Sequence, residues 1–334
     1  MSEVLISTLV LTPDVPETMR RTLSALSAQT IADRVEVVLI GPSEAATDVP
    51  AAWVSGFASV KRAVSAERSM GAMYVAGVAA ATGPIVQITE DHCYPLPGHH
   101  EAVLAAFEAH GCAAVGPNVA LANPGTFAAE VQYLFEYAVV GPKGEHGVAP
   151  HISGHNSAYR RDALLAYGDE LADWLEVETL LHWEMTRRGL VLVNDAGPRS
   201  IHWNVERLGP LFSFCWVFPR VFAAYRGRRA GLGTRLKLGL LWPLIGVLRT
   251  WRTWGLAVRY HGVSGAAARV PLLFAALMVS AASEGMGYLF GVGGHTPMAF
   301  DREFHRDRYM RAGRVIADPD WVEAATSGAA AGAS

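Results

Sequence analysis

The chain has 334 residues, of which 51% are hydrophobic and 18% charged, a composition that excludes a disordered protein and supplies more apolar material than one small domain needs. Its three cysteines, Cys93, Cys112 and Cys215, are far apart and form no CxxC pair, which excludes a disulfide framework or a cysteine-rich zinc cluster and fits a reducing compartment. The net charge of −3 conceals an asymmetry: residues 1–206 carry 24 acids and 12 bases, whereas residues 207–283 carry 11 bases and no acid. Such a split marks two regions with different surroundings.

The first segment, MSEVLISTLVLTPD, has an early acid and a short apolar run, so it reads as a first strand (residues 4–11) rather than a signal peptide. PETMRRTLSALSAQT follows with apolar residues at helical spacing, and VEVVLI (35–40) is a second strand. This is a βαβ opening, which predicts a mostly parallel sheet covered by helices on both faces. SMGAMYVAGVAAAT (69–82) reads as a helix of small residues stopped by Gly83-Pro84, and 85–89 as the next strand. A helix is expected over about 99–110, a strand over 112–119 and a helix over 126–138. GPKGEHGVAP (141–150) reads as a loop, and 151–168 as a strand, a polar turn and a short helix. The spacing predicts one helix over 173–189, ended by Gly189, and two short strands over 190–195 and 199–203.

Strand patterns stop near residue 206. The rest is long, apolar and basic, and the sequence closes on a small-residue tail. Arginine and lysine interleaved with Trp and Leu on helices suit an anionic membrane surface; the runs between the charges are too apolar for a nucleic-acid groove. Val270–Phe290 holds 21 residues with one charge, Glu284, close to the length of about 20 that crosses a bilayer. Glu284, Gly285 and Gly287 weaken it as a span, and Leu238–Leu248 is too short and contains Pro243. In-plane or re-entrant helices are the expectation. An ordinary helical subdomain is the plain alternative.

VQITEDHCYPLPG (86–98) runs from an apolar strand into Glu90, Asp91 and His92. On a strand, Glu90 and His92 would project to one face and Asp91 to the other. Ligands of open α/β sheets collect at the carboxyl ends of strands. Oxygen and imidazole donors there suit Mg2+ or Mn2+, imidazole favouring the latter, and a hard ion held by few side chains keeps positions open for substrate phosphates. A solvated strand end is the alternative reading of the same triplet.

The segments from residue 4 to about 205 together resemble the family 2 glycosyltransferases, whose GT-A fold binds nucleotide sugars. LVLTPDVPETMRRTLSALSAQT is similar to that family's first strand, turn and helix, and SMGAMYVAGVAAATGPIVQITEDHCYPLPG to its helix, strand and DxD segment. SGHNSAYRRDALLAYG resembles the acceptor-side turn, EVETLLHWEMTRRG the helix that carries the base, and Ile201-His202 the strand with a following histidine. The resemblance implies an α/β GT-A-type domain over 1–205, with a donor half at 1–119 and an acceptor half at 120–205. A membrane-associated helical region at 206–300 and a tail at 301–334 would follow. It implies direct displacement with inversion, a Mn2+ or Mg2+ cofactor and a nucleotide-sugar donor, and the basic apolar helices add the expectation of a glycan or lipid-linked acceptor at the cytoplasmic membrane face.

Counted back from Gly189, Glu178 falls on the family's base, with Glu176 two residues away. Asp14, Arg68, Glu90 and Asp91 are the implied donor contacts. His155, Asn156 and Trp174 are the implied acceptor contacts, and Asp91, His92 and His202 the implied metal ligands. Two departures stand out: His92 replaces the last acid of DxD, so either His92 or Asp91 ligates, and the second strand ends in Gly41-Pro42-Ser43 instead of an acidic pair. Those departures also motivate a different class, a non-catalytic sugar-nucleotide or glycan-binding module.

Overall fold

The computed structural model describes residues 3–12 and 16–309. The chain divides into two compact units. Among the described residues, the first comprises those up to Ala122 together with Glu145–His202, and the second comprises Asn123–Gly144 and those from Trp203 onward. Residues 123–144, which the sequence reading groups with the α/β domain, therefore group with the C-terminal helices.

The elements in chain order are β1 (Ile6–Leu11), α1 (Arg20–Ser27), β2 (Val35–Gly41), β3 (Ser59–Val64), α2 (Met70–Ala80), β4 (Ile85–Thr89), β5 (Cys93–Pro95), α3 (His99–His110) and β6 (Ala114–Leu121). Then come α4 (Phe127–Glu136), β7 (Gly147–Val148), β8 (Ala158–Arg160), α5 (Arg161–Leu165), α6 (Leu171–Leu175), α7 (Glu178–Arg187) and β9 (Leu192–His202). The last are α8 (Leu208–Arg228), α9 (Leu232–Leu240), α10 (Trp242–Phe290) and α11 (His295–Phe304).

In the first unit the described residues form one nine-stranded sheet in the order β3-β2-β1-β4-β8-β6-β9-β5, with β7 also on β9. The β3-β2-β1-β4 run is parallel, as the βαβ opening requires. β8 then enters antiparallel to both β4 and β6, so the sheet is mixed. β1 and β2 are buried at every position, which is why they read as continuous apolar runs. Met19 with Leu23 and Leu26 of α1 packs on Val10, Val37 and Leu39, and α3 packs Val103, Ala106 and Phe107 against Ile85, Val115 and Ala158 on the same face of the sheet. These apolar layers hold the strand ends in place.

Three local expectations are corrected. The single helix expected over 173–189 is two, α6 and α7, parted at Glu176-Val177. The two strands expected over 190–203 are one, β9, whose Gly197-Pro198 segment coincides with a register shift against β6 and is held by the Gly197 N–H donating to Asp195 Oδ1 at 2.8 Å. The tail expected from residue 301 begins inside α11.

The second unit is helical. Its core gathers Ala128 and Val131 of α4, Leu211, Phe214 and Cys215 of α8, and Leu273, Ala276 and Leu277 of α10. α10 breaks at Gly262, whose φ of 69° and ψ of 175° are non-helical, so 242–261 and 263–290 behave as two helices. Arg269 pairs with Glu130, and Arg249 with the buried Glu284 at 2.6 Å.

Candidate metal and transfer site

The site lies at the carboxyl end of β4, and two antiparallel pairings assemble it. β4 meets β8 with Gln87 opposite Ala158, and the Ile88 N–H donates to the Ser157 carbonyl at 2.9 Å. Continued by three residues, that register brings Glu90 to His155. β5 meets β9 with Cys93 opposite His202, so His202 lies beside His92. The turn between β4 and β5 is pinned by the Thr22 hydroxyl donating to the Glu90 carbonyl (2.9 Å) and the Tyr94 hydroxyl donating to the Asp91 carbonyl (2.8 Å).

Glu90, His92, His155 and His202 converge, each offering one ligand atom, with all four atoms within 4.8 Å of one another. His92 Nε2 is 3.3 Å from Glu90 Oε2, and His155 Nδ1 pairs with the same carboxylate. The His202 ring stands 4.8 Å from that of His92 and 4.9 Å from that of His155, centroid to centroid. Glu90, His92 and His202 are buried, and His155 is largely so.

Three imidazoles and a carboxylate suit a divalent cation. His92 faces a carboxylate at each ring nitrogen, Asp91 at Nδ1 (2.8 Å) and Glu90 at Nε2 (3.3 Å), and a neutral imidazole carries one N–H for the two, so a second proton or a metal completes the arrangement. Opposite ligands of an ion bound at 2.1 Å are roughly 4.2 Å apart, close to the spread observed. The donor set is richer in nitrogen than Mg2+ prefers. Asp91 stands one step back: its Oδ1 lies 2.8 Å from His92 Nδ1, the placement of an outer carboxylate that takes a ring N–H and turns the other nitrogen inward. The converging group holds His92 and His202, two of the ligands that the resemblance implies, together with Glu90 and His155; Asp91 lies outside it.

Glu178 is the first residue of α7, where a helix N-terminus favours negative charge, and it is partly exposed. Its carboxylate lies on the backbone of Gly154, so closely that a Cβ there would collide with it. Gly154 immediately precedes His155, so the acid and the histidine cluster lie at successive residues of one turn. Glu176 does different work. It is buried, and its Oε2 accepts from the Ser69 hydroxyl (2.6 Å) and the Gly71 N–H (2.9 Å) at the start of α2. Burial pushes its carboxyl up and those two hydrogen bonds pull it back.

Residues 7–168 match the family described as glycosyl transferase family 2. The chain carries a family 2 glycosyltransferase domain. No curated protein matches the sequence. Solved structures that resemble the chain include GalNAc-T7 crystallised with UDP, GalNAc and Mn2+, at 14% identity and a TM-score of 0.45, covering 60% of this chain. This chain spans 43% of that GalNAc-T7 chain. Residues 1–349 of S. aureus TarS resemble it at 15% identity and a TM-score of 0.44, covering 86% of this chain and 90% of that one. The same TarS fragment in complex with UDP gives 14% identity, a TM-score of 0.43 and the same coverage.

The remaining expected contacts of the family 2 domain fall in different places. Asp14 lies outside the described residues. Arg68 is exposed, one residue before Ser69, whose hydroxyl accepts the Ala72 N–H and caps α2. Asn156 is corrected from acceptor contact to turn holder: it is wholly buried at φ 55°, its Oδ1 accepts from Gln87 Nε2 (3.1 Å) and its Nδ2 donates to the Cys93 carbonyl (3.1 Å). Trp174 is likewise corrected. Its ring is buried edge-on to Tyr167 and its Nε1–H donates to Glu170 at 3.2 Å, which leaves no open face for a sugar.

A buried chain outside the expected site residues runs beneath α7. His182 Nδ1 lies 3.0 Å from His151 Nδ1 and its Nε2 lies 2.8 Å from the Tyr159 hydroxyl. Burial holds the His182 ring well below the usual imidazole range, so it is neutral, and burial together with the nearby Glu178 charge pushes the Tyr159 phenol up. The only cue was helical spacing, which puts His182 one turn after Glu178.

Proposed function

We propose that the chain transfers a sugar from a nucleoside-diphosphate donor to a hydroxyl acceptor, with inversion and with the help of a divalent cation. The placement of the Glu178 carboxylate on Gly154, next to His155 of the metal-ligand group, carries the reading.

Glu90, His92, His155 and His202 would hold the ion, Mn2+ in preference to Mg2+, and Asp91 would orient His92. The ion, when bound, neutralises the charge of the departing diphosphate. Glu178 accepts the acceptor hydroxyl's proton as its oxygen attacks the anomeric carbon from the face opposite the diphosphate. The new C–O bond forms as the old one breaks, the electron pair leaves on the diphosphate, and one displacement inverts the carbon. Partial exposure keeps Glu178 reachable by an acceptor, whereas Glu176 is committed to capping α2. The basic, acid-free stretch 207–283 supports a location at the cytoplasmic membrane face and an acceptor carried by a lipid.

The test is Glu178→Gln with Mn2+ present. Transfer should fall by about 100- to 10,000-fold while nucleotide-sugar binding, read by calorimetry, is retained. Full transfer by the variant would remove Glu178 as the base. Tight donor binding by the wild type without turnover on any acceptor would favour a binding module.

A further inference from the structure

In the second unit, α9 and the first half of α10 reverse the usual amphipathic order. Their inward positions are small: Gly239, Gly246, Thr253 and Ala257 are buried. A Cβ at Gly239 would meet Leu289, and one at Gly246 would meet Met278, so these glycines let the segment lie close on the second half of α10. The large apolar side chains point outward instead. Leu232 is 68% exposed, Leu240 67%, Leu244 53% and Trp251 76%, with Leu236 and Leu248 exposed between them. Spacings of three and four residues place them along one face of each helix.

We infer that this face docks in the plane of an anionic lipid bilayer, its leucines and Trp251 entering the headgroup–acyl boundary. The inference rests on the membrane location proposed above and gives it a surface. Two observations select the occupant. Exposed Lys237 and Arg252 stand in the same segment, and no acid occurs anywhere in 207–283. A second copy seated on this face would bring like charge against like, with no acid in the stretch to offset it. A bilayer with anionic headgroups supplies both an apolar depth and a negative surface.

In-plane seating, not a span, also follows from the geometry. α9 has 9 residues, and Pro243 opens α10. Residues 242–261 carry three arginines, and a span needs about 20 predominantly apolar residues. α8 and α10 are both long and apolar enough to cross a membrane by length and composition. However, the second half of α10 buries Leu273, Ala276 and Leu277 within the unit, and it carries Glu284 paired with Arg249.

The experiment uses the full chain and vesicles of phosphatidylcholine with or without 30% phosphatidylglycerol, read by flotation. Wild type should bind the anionic vesicles, lose part of that binding in high salt, and come off at high pH. Leu240→Asp with Leu244→Asp, both at exposed positions, should weaken binding by about 100-fold with an unchanged far-UV circular dichroism spectrum. Glu178→Gln should float as wild type does while losing transfer, and the double aspartate variant should keep transfer to a soluble acceptor. The two proposals therefore fail separately. No binding by the wild type, equal binding by the double variant, a dimer dispersed by the same substitutions, or retention of wild type at high pH would each overturn the in-plane surface.

Discussion

The sheet of the first unit buries a carboxylate near each end, and the two are treated differently. Glu36 sits near the amino end of β2, 1% exposed, and is surrounded by hydrogen-bond donors. The Ser7 hydroxyl donates at 2.7 Å, the Thr82 N–H at 2.7 Å and its hydroxyl at 2.8 Å, the Ser59 hydroxyl at 3.0 Å, and Lys61 pairs at 3.0 Å. Glu90, past the carboxyl end of β4, is faced by imidazoles whose nitrogens converge with it on one point. A buried charge that serves the fold collects complementary donors. A buried acid crowded by imidazole nitrogens has the donor set of a divalent-cation site.

Glu36→Gln probes the structural end and should have the largest effect. Burial pushes the Glu36 carboxyl up, but the bonds from Ser7, Thr82 and Lys61 outweigh it and hold the group at about 2. A carboxyl lowered on folding adds stability above its unfolded value and loses it as pH falls through its folded value. The variant should therefore be less stable at pH 7 by about 3 kcal/mol in urea unfolding. The gap between variant and wild type should close as pH falls from about 4.5 towards 2. A gap independent of pH would mean that packing, not charge, holds this end.

His92→Ala probes the other end. Mn2+ affinity, measured by calorimetry without nucleotide, should fall at least about 100-fold, the upper cost of losing even an outer partner of a ligand. Far-UV circular dichroism should not change. Unaltered affinity would dissolve the contrast between the two ends. Ser69→Ala is the smallest of the three, about 1 kcal/mol, because it removes a helix cap and one donor to Glu176. Its transfer rate per folded molecule should stay within a factor of about two, since Glu176 holds α2 and not the acceptor. A large drop in rate would return Glu176 to the chemistry.

Much of the first unit could be read from the sequence because its signals are local. β1, β2, β4 and α3 are marked by continuous apolar runs or by helical spacing beside a Gly98 start and a Gly111 stop. β3 escaped because SVKRAV is an exposed, charged strand at the edge of the sheet, and β9 read as two strands because Gly-Pro interrupts it. For the proposed site, register against the resembling family points to Glu178, and the acidic turn points to Glu90 and His92. Neither could show that His155 closes on Glu90, because the β4–β8 pairing joins segments about 65 residues apart and no periodicity within either one records it. Asn156 and Trp174 misled for the opposite reason. Polar and aromatic residues near a site resemble contacts until their burial is known.

The four candidate ligand side chains come from three stretches of chain, the turn after β4, the turn before β8 and the end of β9, and β9 joins the sheet through β6 while carrying β5 on its other edge. An ion bound there would act as a removable cross-link between stretches that are distant in sequence. Because the unfolded chain has no such convergence, every increment of metal affinity is also an increment of folding free energy. At a free-ion concentration 100 times the dissociation constant that linkage amounts to about 2.7 kcal/mol. Chelation would then loosen the whole β4–β8–β9 region, and the melting temperature of the chain would report the free-ion concentration as readily as a metal-dependent turnover would.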